Sequence, residues 1–270
     1  MVLIVYSGDP VGHRKAFSTF LQGHPKKAAE GGCRNDSRLV QVSKLFYVDT
    51  QIFSCSMAWV KDQQWLFAGT AGGLIGWHLP IKVLTGSVPS QPSMIDFELV
   101  PDSEHREYGQ AVDSVCSLGQ GLVATKCVTY GKILVFKAEF PALQEKDRTG
   151  NLCKVEVLAE FAWRHTMEHF INIGGSADLR LMACGDDQGT IWLYSLPAHL
   201  LLEPASNSNI PSKLLPIGRL PWPKLQVNGV LQEGSTVMID KVVFSPEGNN
   251  IVAITNNNIV AFWKRSLASA

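Results

Sequence analysis

Four copies of one strand-rich unit recur along the chain, and this repetition constrains the fold more than any other feature. Each copy has a strand, a second strand with a small residue, a tight turn, and a third strand ending in an aromatic residue. The small residues are Ala68, Ala124, Ala183 and Ala253. The turns are Ala71–Gly73, Tyr130–Gly131, Asp187–Gly189 and Asn256–Asn258. Gly and Asn tolerate the positive φ that such turns need. The closing aromatics, expected to fill the space between neighbouring sheets, are Trp77, Phe136, Tyr194 and Trp263.

One further run of alternating polar and apolar residues precedes each copy. These runs are Leu39–Val48, Ile95–Val100, Lys154–Phe161 and Leu214–Leu220. Four strands per unit is the pattern of a β-propeller blade. We therefore predict an all-β fold, a WD-type β-propeller between residues 38 and 265, with blade units at 38–80, 95–138, 154–196 and 213–264.

The ends of the chain and the number of units raise separate expectations. Residues 1–37 are rich in Gly and Lys and are predicted to be poorly structured, and residues 266–270 form a tail. Propellers have about 4–8 blades, with seven common among WD proteins. The run Leu39–Val48 offers an outer strand that closes a four-bladed ring. We favour the alternative interpretation, in which the chain is an incomplete half of a seven-bladed propeller.

The Asp that usually follows the closing aromatic of a WD repeat is missing from every copy. The residues in its place are His78, Lys137, Ser195 and Lys264. We therefore expect divergent repeats that are held mainly by apolar packing, without the buried polar network that many WD repeats use.

Composition limits the classes of function. The charges of the 24 basic and 24 acidic residues cancel. This argues against binding of nucleic acid or an anionic membrane through net positive charge. No apolar run has the length of a membrane span, and the short apolar start, Met1–Tyr6, lacks the features of a secretory signal. The six cysteines include no CxxC pair, so we expect reduced thiols, no zinc site and no cofactor.

Several motifs, taken in order, give the chain a specific resemblance. They are LFAGTAGG at 66–73, VLAEF at 157–161, ACGDDQGTIWLY at 183–194 and NIVAFW at 258–263. Between about Phe53 and Arg265 the chain resembles the C-terminal half of the leucine-rich repeat and WD repeat-containing family that associates with the origin recognition complex. The leucine-rich repeats of that family are absent from this sequence.

A more distant likeness is to the WD subunit of the Polycomb methyltransferase complex, known as the embryonic ectoderm development or extra sex combs protein. Both relatives bind methylated histone lysines, so the resemblance implies a methyl-lysine cage on the propeller top. His169 and Phe170 stand where the Polycomb relative has a Trp-Tyr pair, and they are the cage candidates. The alternative is that Phe170 is an ordinary residue of the blade core.

Two other features are open to a functional or a structural interpretation. His165, Glu168 and His169 have the HxxEH spacing of a zinc peptidase class, which requires a helix; a loop leading into a strand is the favoured interpretation. Trp222, between two prolines, is either a rigid exposed contact for a partner or a packed end of an outer strand.

Three hypotheses of function follow. The first is a non-enzymatic chromatin adaptor in the nucleus, which by resemblance binds origin recognition complex subunits and trimethylated histone tails in heterochromatin, centromeres or telomeres and in replication initiation. The second is a generic cytoplasmic WD scaffold for a multiprotein complex. The third is a metallohydrolase that uses His165, Glu168 and His169.

Overall fold

Strands account for nearly all the regular structure of the chain. The computed structural model describes residues 16–18, 44–46, 51–60, 63–79, 94–100, 111–128, 130–138, 152–201, 212–223, 225–227, 230–232 and 237–265. The only helix in these stretches, α1 (Ala198–Leu201), has four residues. The all-β prediction is therefore confirmed. None of the helical structure in these stretches is long and apolar enough to cross a lipid bilayer.

The predicted N-terminal segment and the C-terminal tail lie almost entirely outside the described residues. The exception is β1 (Ala16–Ser18), which pairs antiparallel with β2 (Lys44–Phe46). β2 is the described part of the run Leu39–Val48, and its partner is β1 rather than the last strand of the chain. Closure of a four-bladed ring by this run is therefore not what the described residues form.

Four groups of consecutive strands follow along the chain, and we number them as blades. Blade 1 contains β3 (Ile52–Val60), β4 (Gln63–Thr70), β5 (Gly73–Leu79) and β6 (Met94–Val100). Blade 2 contains β7 (Val112–Gly119), β8 (Leu122–Cys127), β9 (Lys132–Lys137) and β10 (Leu152–Ala162). Blade 3 contains β11 (Ile173–Ser176), β12 (Leu181–Cys184), β13 (Ile191–Ser195) and, after the short β14 (Ser212–Leu214), β15 (Gly218–Leu220). After the hairpin of β16 (Leu225–Val227) and β17 (Val230–Gln232), blade 4 contains β18 (Ile239–Phe244), β19 (Asn250–Thr255) and β20 (Val260–Lys264).

Within each blade the strands pair antiparallel in chain order, as expected for a propeller. The outer strands add links that the repeat pattern does not predict. The first half of β10 pairs parallel with β6, its second half pairs antiparallel with β9, and β14 pairs parallel with β10. Blades 1 and 2 are therefore joined into one continuous sheet.

The repeats of the sequence and the sheets of the structure are offset by one strand. The alternating run before the second, third and fourth repeats becomes the outer strand of the preceding blade, so that β6, β10 and β15 pair with β5, β9 and β13. In the described part of the chain, blade 4 has three strands.

The first strand of each blade lies beside the first strand of the next, so that β3, β7, β11 and β18 line a common axis. Glycines permit neighbouring blades to approach closely beside this axis. A Cβ atom at Gly69 would overlap the carbonyl oxygen of Val112, and one at Gly174 would overlap that of Val242. Serine side chains join the same strands, because the Ser54 hydroxyl accepts from the Val115 amide at 3.2 Å and the Ser114 hydroxyl accepts from the Ile173 amide at 3.0 Å.

Three closing aromatics fill the spaces between blades, as predicted. Phe136 packs against blade 1, Tyr194 against blade 2 and Trp263 against blade 3. The fourth, Trp77, is also buried, but it packs with Leu66 and Ile75 on the face of blade 1 that points away from blade 2.

The prediction that the repeats lack a buried polar network is wrong. Asp186 is buried, and its carboxylate accepts from the amides of Gln188 and Thr190 and from Trp192 Nε1, all at 2.8–2.9 Å. Asp113 and Lys126 form a second buried cluster. The buried polar groups do not occupy the position after the closing aromatic. They lie at other positions of the repeat.

Candidate functional site

A common pattern lies at the start of the inner strand in blades 1, 2 and 4 and just before it in blade 3, and these residues form one rim of the central axis. An apolar residue is followed by a residue that we call the rim residue; the four rim residues are Phe53, Asp113, Asn172 and Asp240. In β3, β7 and β18 the register with the neighbouring strand shifts at the rim residue. Such β-bulges turn a side chain in a new direction and are common beside functional sites.

Three aromatic rings meet at this rim. Phe53 stacks on His169, with ring centroids 5.0 Å apart and an interplanar angle of 22°. Phe170 meets Phe53 edge-on at 5.6 Å and 72°, and lies 6.2 Å from His169. The stacked pair is thus one wall and Phe170 a second wall nearly perpendicular to it. We call these three residues the aromatic cluster.

Phe170 is held in an uncommon backbone conformation at the edge of the cluster. Its φ is +68°, in the left-handed region that bulky residues rarely adopt, and its side chain is 48% exposed. The Asn172 side chain donates from Nδ2 to the Phe170 carbonyl at 2.7 Å, and the Asn172 amide donates to the Asp240 carbonyl at 2.7 Å. Asn172 therefore ties Phe170 to the inner strand of blade 4.

The acidic rim residues lie in contrasting environments. Asp113 is wholly buried and paired with Lys126, whose Nζ is 2.5 Å from Oδ2 and lies over the Trp163 ring at 4.6 Å. Burial raises the pKa of the Asp113 carboxyl, while Lys126 opposes this shift. Burial also raises the pKa of Asp240, whose Oδ1 is buried without a hydrogen-bond partner among the described residues.

This arrangement suits a soft organic cation. A methylated ammonium group binds to the faces of aromatic rings within about 6 Å of their centroids, where water is excluded. The rings of Phe53 and His169 are too close to admit a group between them. A cation would therefore meet the cluster at Phe170, its most exposed ring.

The structure brings the two predicted cage residues together and adds a third. His169 and Phe170 both lie in the aromatic cluster, whereas Phe53, which was not predicted, provides the ring that they pack on. The sequence alone gives no signal for Phe53, because it has the appearance of an ordinary residue at the start of a strand. Whether these residues bind a ligand stays a prediction.

The HxxEH motif lies in a loop. No helix is assigned between Trp163 and Phe170, and His165 and Glu168 are exposed. Thr166 organises the loop, since its hydroxyl donates to Asp187 at 2.9 Å and accepts from the Glu168 amide at 3.0 Å. Among the residues that the structure describes, no group of three or more His, Cys, Asp or Glu side chains is placed to hold a metal ion.

Trp222 is buried, in contrast to the rigid exposed aromatic that was one expectation for it. Only 8% of the residue is accessible, and its ring meets Trp263 edge-on at 6.2 Å. It thus occupies the packed position of the second interpretation, in the core between blades 3 and 4. A role of Trp222 in contacting a partner stays a prediction.

Comparisons with known proteins bear on the same region of the chain. The family model described as "Leucine-rich repeat and WD repeat-containing protein 1, WD domain" matches residues 30–266. The Homo sapiens protein of that name is 26% identical over 238 residues, covering 87% of this chain and 35% of the relative. The Mus musculus protein is 25% identical over 211 residues, covering 78% of this chain and 30% of the relative. The chain thus spans about a third of the length of these relatives.

A solved structure shares the fold. A chain in the crystal structure of an active polycomb repressive complex 2 in the basal state superposes with a TM-score of 0.51 at 10% identity. The match covers 85% of this chain and 40% of that chain. At this identity the likeness supports the WD-type β-propeller fold alone, and the fold prediction is confirmed.

Proposed function

Because the chain belongs to the family of WD domains of leucine-rich repeat and WD repeat-containing protein 1, we propose that it acts as a non-enzymatic chromatin adaptor that reads methylated lysine. That the chain is a WD-repeat adaptor follows from its family. The propeller fold provides a rigid frame with binding residues at its rim. That its ligand is methylated lysine and that it acts on chromatin are our proposals.

The single observation that carries the proposal is the aromatic cluster. Three rings from two distant parts of the chain converge at the axis, and the most exposed of them, Phe170, is held in a strained conformation. Strained residues persist where the surrounding structure determines them, and they concentrate at binding sites. A cluster of aromatic rings with one exposed member favours a cationic, weakly hydrated ligand such as a trimethylated lysine.

The partners we propose follow from the resemblance of the sequence. They are origin recognition complex subunits and the trimethylated tails of histones in repressed chromatin, and the proposed location is the nucleus. The balanced charge of the chain supports a protein ligand over direct binding to DNA, since a DNA-binding surface normally needs excess Lys and Arg.

Affinity purification of the full-length protein from nuclear extract tests the partners. We expect origin recognition complex subunits, and nucleosomes enriched in trimethylated histone lysine, to copurify with the wild-type protein. The Phe53→Ala variant should retain the complex subunits and lose the enrichment in methylated nucleosomes. Met167→Ala, an exposed residue of the same loop as Phe170, is the matched control.

Two results would overturn parts of the proposal. Equal recovery of methylated and unmodified nucleosomes by the wild-type protein removes the methyl-lysine function. A strictly cytoplasmic distribution of the full-length protein on cell fractionation removes the chromatin setting and favours a generic scaffold.

A further inference from the structure

His169 is the ionisable member of the aromatic cluster. Its ring stacks on Phe53 with centroids 5.0 Å apart, and the Phe170 ring lies 6.2 Å away. The residue is half-buried, and its Nδ1 atom is buried with no hydrogen-bond partner among the described residues. Histidine is the side chain whose charge ordinarily changes between about pH 5 and pH 8. The charge of the cluster can therefore follow the pH of the solution.

A buried carboxylate on the inner strand β7 interacts with this imidazole. One oxygen of Asp113, Oδ2, is paired with Lys126, whereas the other, Oδ1, is buried without a hydrogen-bond partner among the described residues. Burial raises the pKa of the Asp113 carboxyl, and electrostatic attraction to Lys126 and, more weakly, to His169 opposes this shift. Asp113 and a protonated His169 therefore lie near enough to stabilise each other.

The surroundings of His169 suit both of its protonation states. In a neutral imidazole one nitrogen donates and the other accepts, whereas in an imidazolium both nitrogens donate. The Phe53 ring contacts the imidazole face in either state, and the Asp113 carboxylate offers compensation for the positive charge of the protonated one. The other charged groups on the elements around His169 are Lys126 on β8, Arg164 and Glu168 in the same loop, and Asp240 and Lys241 on β18.

A protonated His169 and a cationic ligand oppose each other in this cluster. The neutral ring adds an aromatic surface beside Phe170, whereas the imidazolium places a positive charge there. The Phe170 ring, where a cation would meet the cluster, is 6.2 Å from the His169 ring. Repulsion between two unit charges at about this separation in a partly exposed site corresponds to about a tenfold loss of affinity.

We propose that His169 is the residue through which pH controls the binding of methylated lysine, since the neutral ring permits binding and protonation of the ring releases the ligand. This inference rests on the proposed methyl-lysine function. The affinity for a methylated peptide should therefore rise with pH as His169 loses its proton. Because the proton and the ligand oppose each other, the ligand should in turn make His169 harder to protonate, a reciprocity that thermodynamic linkage requires.

The test measures the affinity of the full chain for a lysine-trimethylated peptide by fluorescence anisotropy at pH 5.5 and pH 8. The peptide has capped ends and contains no Asp, Glu or His, so that its own charge is the same at both pH values. We expect the wild type to bind about fivefold more weakly at pH 5.5. His169→Phe keeps an aromatic ring beside Phe53 and should bind equally well at both pH values. His165→Phe, at an exposed position of the same loop, is the matched control and should keep the wild-type pH dependence.

A second measurement needs only the wild-type chain. The NMR titration of the His169 imidazole should have its midpoint at a lower pH in the presence of saturating trimethylated peptide than in its absence. An unchanged midpoint would overturn the inference.

The binding data separate the failure of this inference from the failure of the proposed function. A preference for the trimethylated over the unmodified peptide that is the same at both pH values removes the inference alone. A decline at pH 5.5 that persists in His169→Phe also removes it, and assigns the pH dependence to a carboxylate such as Asp113 or Asp240. No preference for the trimethylated peptide at pH 8 removes the proposed function and this inference with it.

Discussion

Phe53 and His169 stack face to face with ring centroids 5.0 Å apart, although one begins the inner strand of blade 1 and the other lies in the loop between blades 2 and 3. The contact joins residues from the two sides of blade 2. It brings parts of the chain that are distant in sequence to one point of the rim. It depends on the bulge in β3 that turns Phe53 out of the regular strand alternation. The aromatic cluster is therefore a product of the propeller arrangement and not of any single repeat.

Stability and ligand binding should respond in opposite directions to one substitution. The left-handed φ of Phe170 costs about 1–2 kcal/mol for a residue with a side chain, and glycine removes this cost. We expect Phe170→Gly to leave the free energy of unfolding unchanged or higher, because the ring is 48% exposed, while affinity for a methylated peptide falls. Urea unfolding and peptide titration measure the two effects. A clear loss of stability would show that the conformation is not strained.

The buried pair of Asp113 and Lys126 should be costly to break and cheap to replace. Removing one partner leaves a buried charge uncompensated, so Lys126→Met and Asp113→Leu should each destabilise the fold by about 3–5 kcal/mol. The double variant, which buries no charge, should lose much less than the sum. Urea unfolding of the four proteins gives the coupling energy, and additive losses would contradict the assigned pairing.

Contacts between blades 3 and 4 should be sensitive to one methyl group. A Cβ at Gly174 or Gly185 would overlap the backbone of β18, so an alanine at either position forces the two blades apart. We expect a loss of about 1–3 kcal/mol in the free energy of unfolding. Gly218→Ala is the control, since a Cβ there meets no described atom within 4 Å. Equal effects at Gly218 and Gly185 would argue against the close approach.

Alkaline pH should destabilise the fold through the buried thiol of Cys184 and the partly buried thiol of Cys116. Burial raises the pKa of Cys116 to about 11 and that of Cys184 to about 12, while in the unfolded chain both thiols ionise near pH 9. Above that pH the unfolded state binds fewer protons than the folded state, so stability falls as pH rises, by at most about 1.4 kcal/mol per pH unit for each group. Unfolding measured under reducing conditions at pH 8 and pH 10.5 should show the loss.

A matched variant isolates this effect. Cys184→Ala should show a shallower decline with pH than wild type, because one of the ionising groups is gone. Burial also raises the pKa of Tyr194, so part of the slope should persist in the variant. A stability that does not change between the two pH values would contradict the raised pKa of both thiols.

The repeats were predictable because their signals are local. Turns need Gly or Asn at defined positions, and the structure has positive φ at Gly131, Gly189 and Asn258. Alternation of polar and apolar residues predicts strands, and a closing aromatic predicts packing between sheets. These patterns repeat in order, so the blades and their turns could be read without knowledge of the pairing.

Pairing between remote segments was not predictable, because no local pattern encodes it. The parallel pairing of β6 with β10 exists because β10 is longer than its pairing with β9 requires, so its first half lies beside β6. The buried polar network was mispredicted because Asp186 and Lys126 occupy strand-end and turn positions, where a charged residue is usually solvated. Phe53 was overlooked for a related reason, since only the bulge in β3 distinguishes it from an ordinary strand residue.

The most direct test of the account is the ratio of affinities of the full chain for a lysine-trimethylated histone tail peptide and for the same peptide unmodified, measured by fluorescence anisotropy in the wild type and in Phe53→Ala. Contacts of a cation with two or three rings predict a preference of about tenfold or more in the wild type and near equality in the variant. Equal affinity of the wild type for the two peptides, or a preference that survives in Phe53→Ala, would contradict the account.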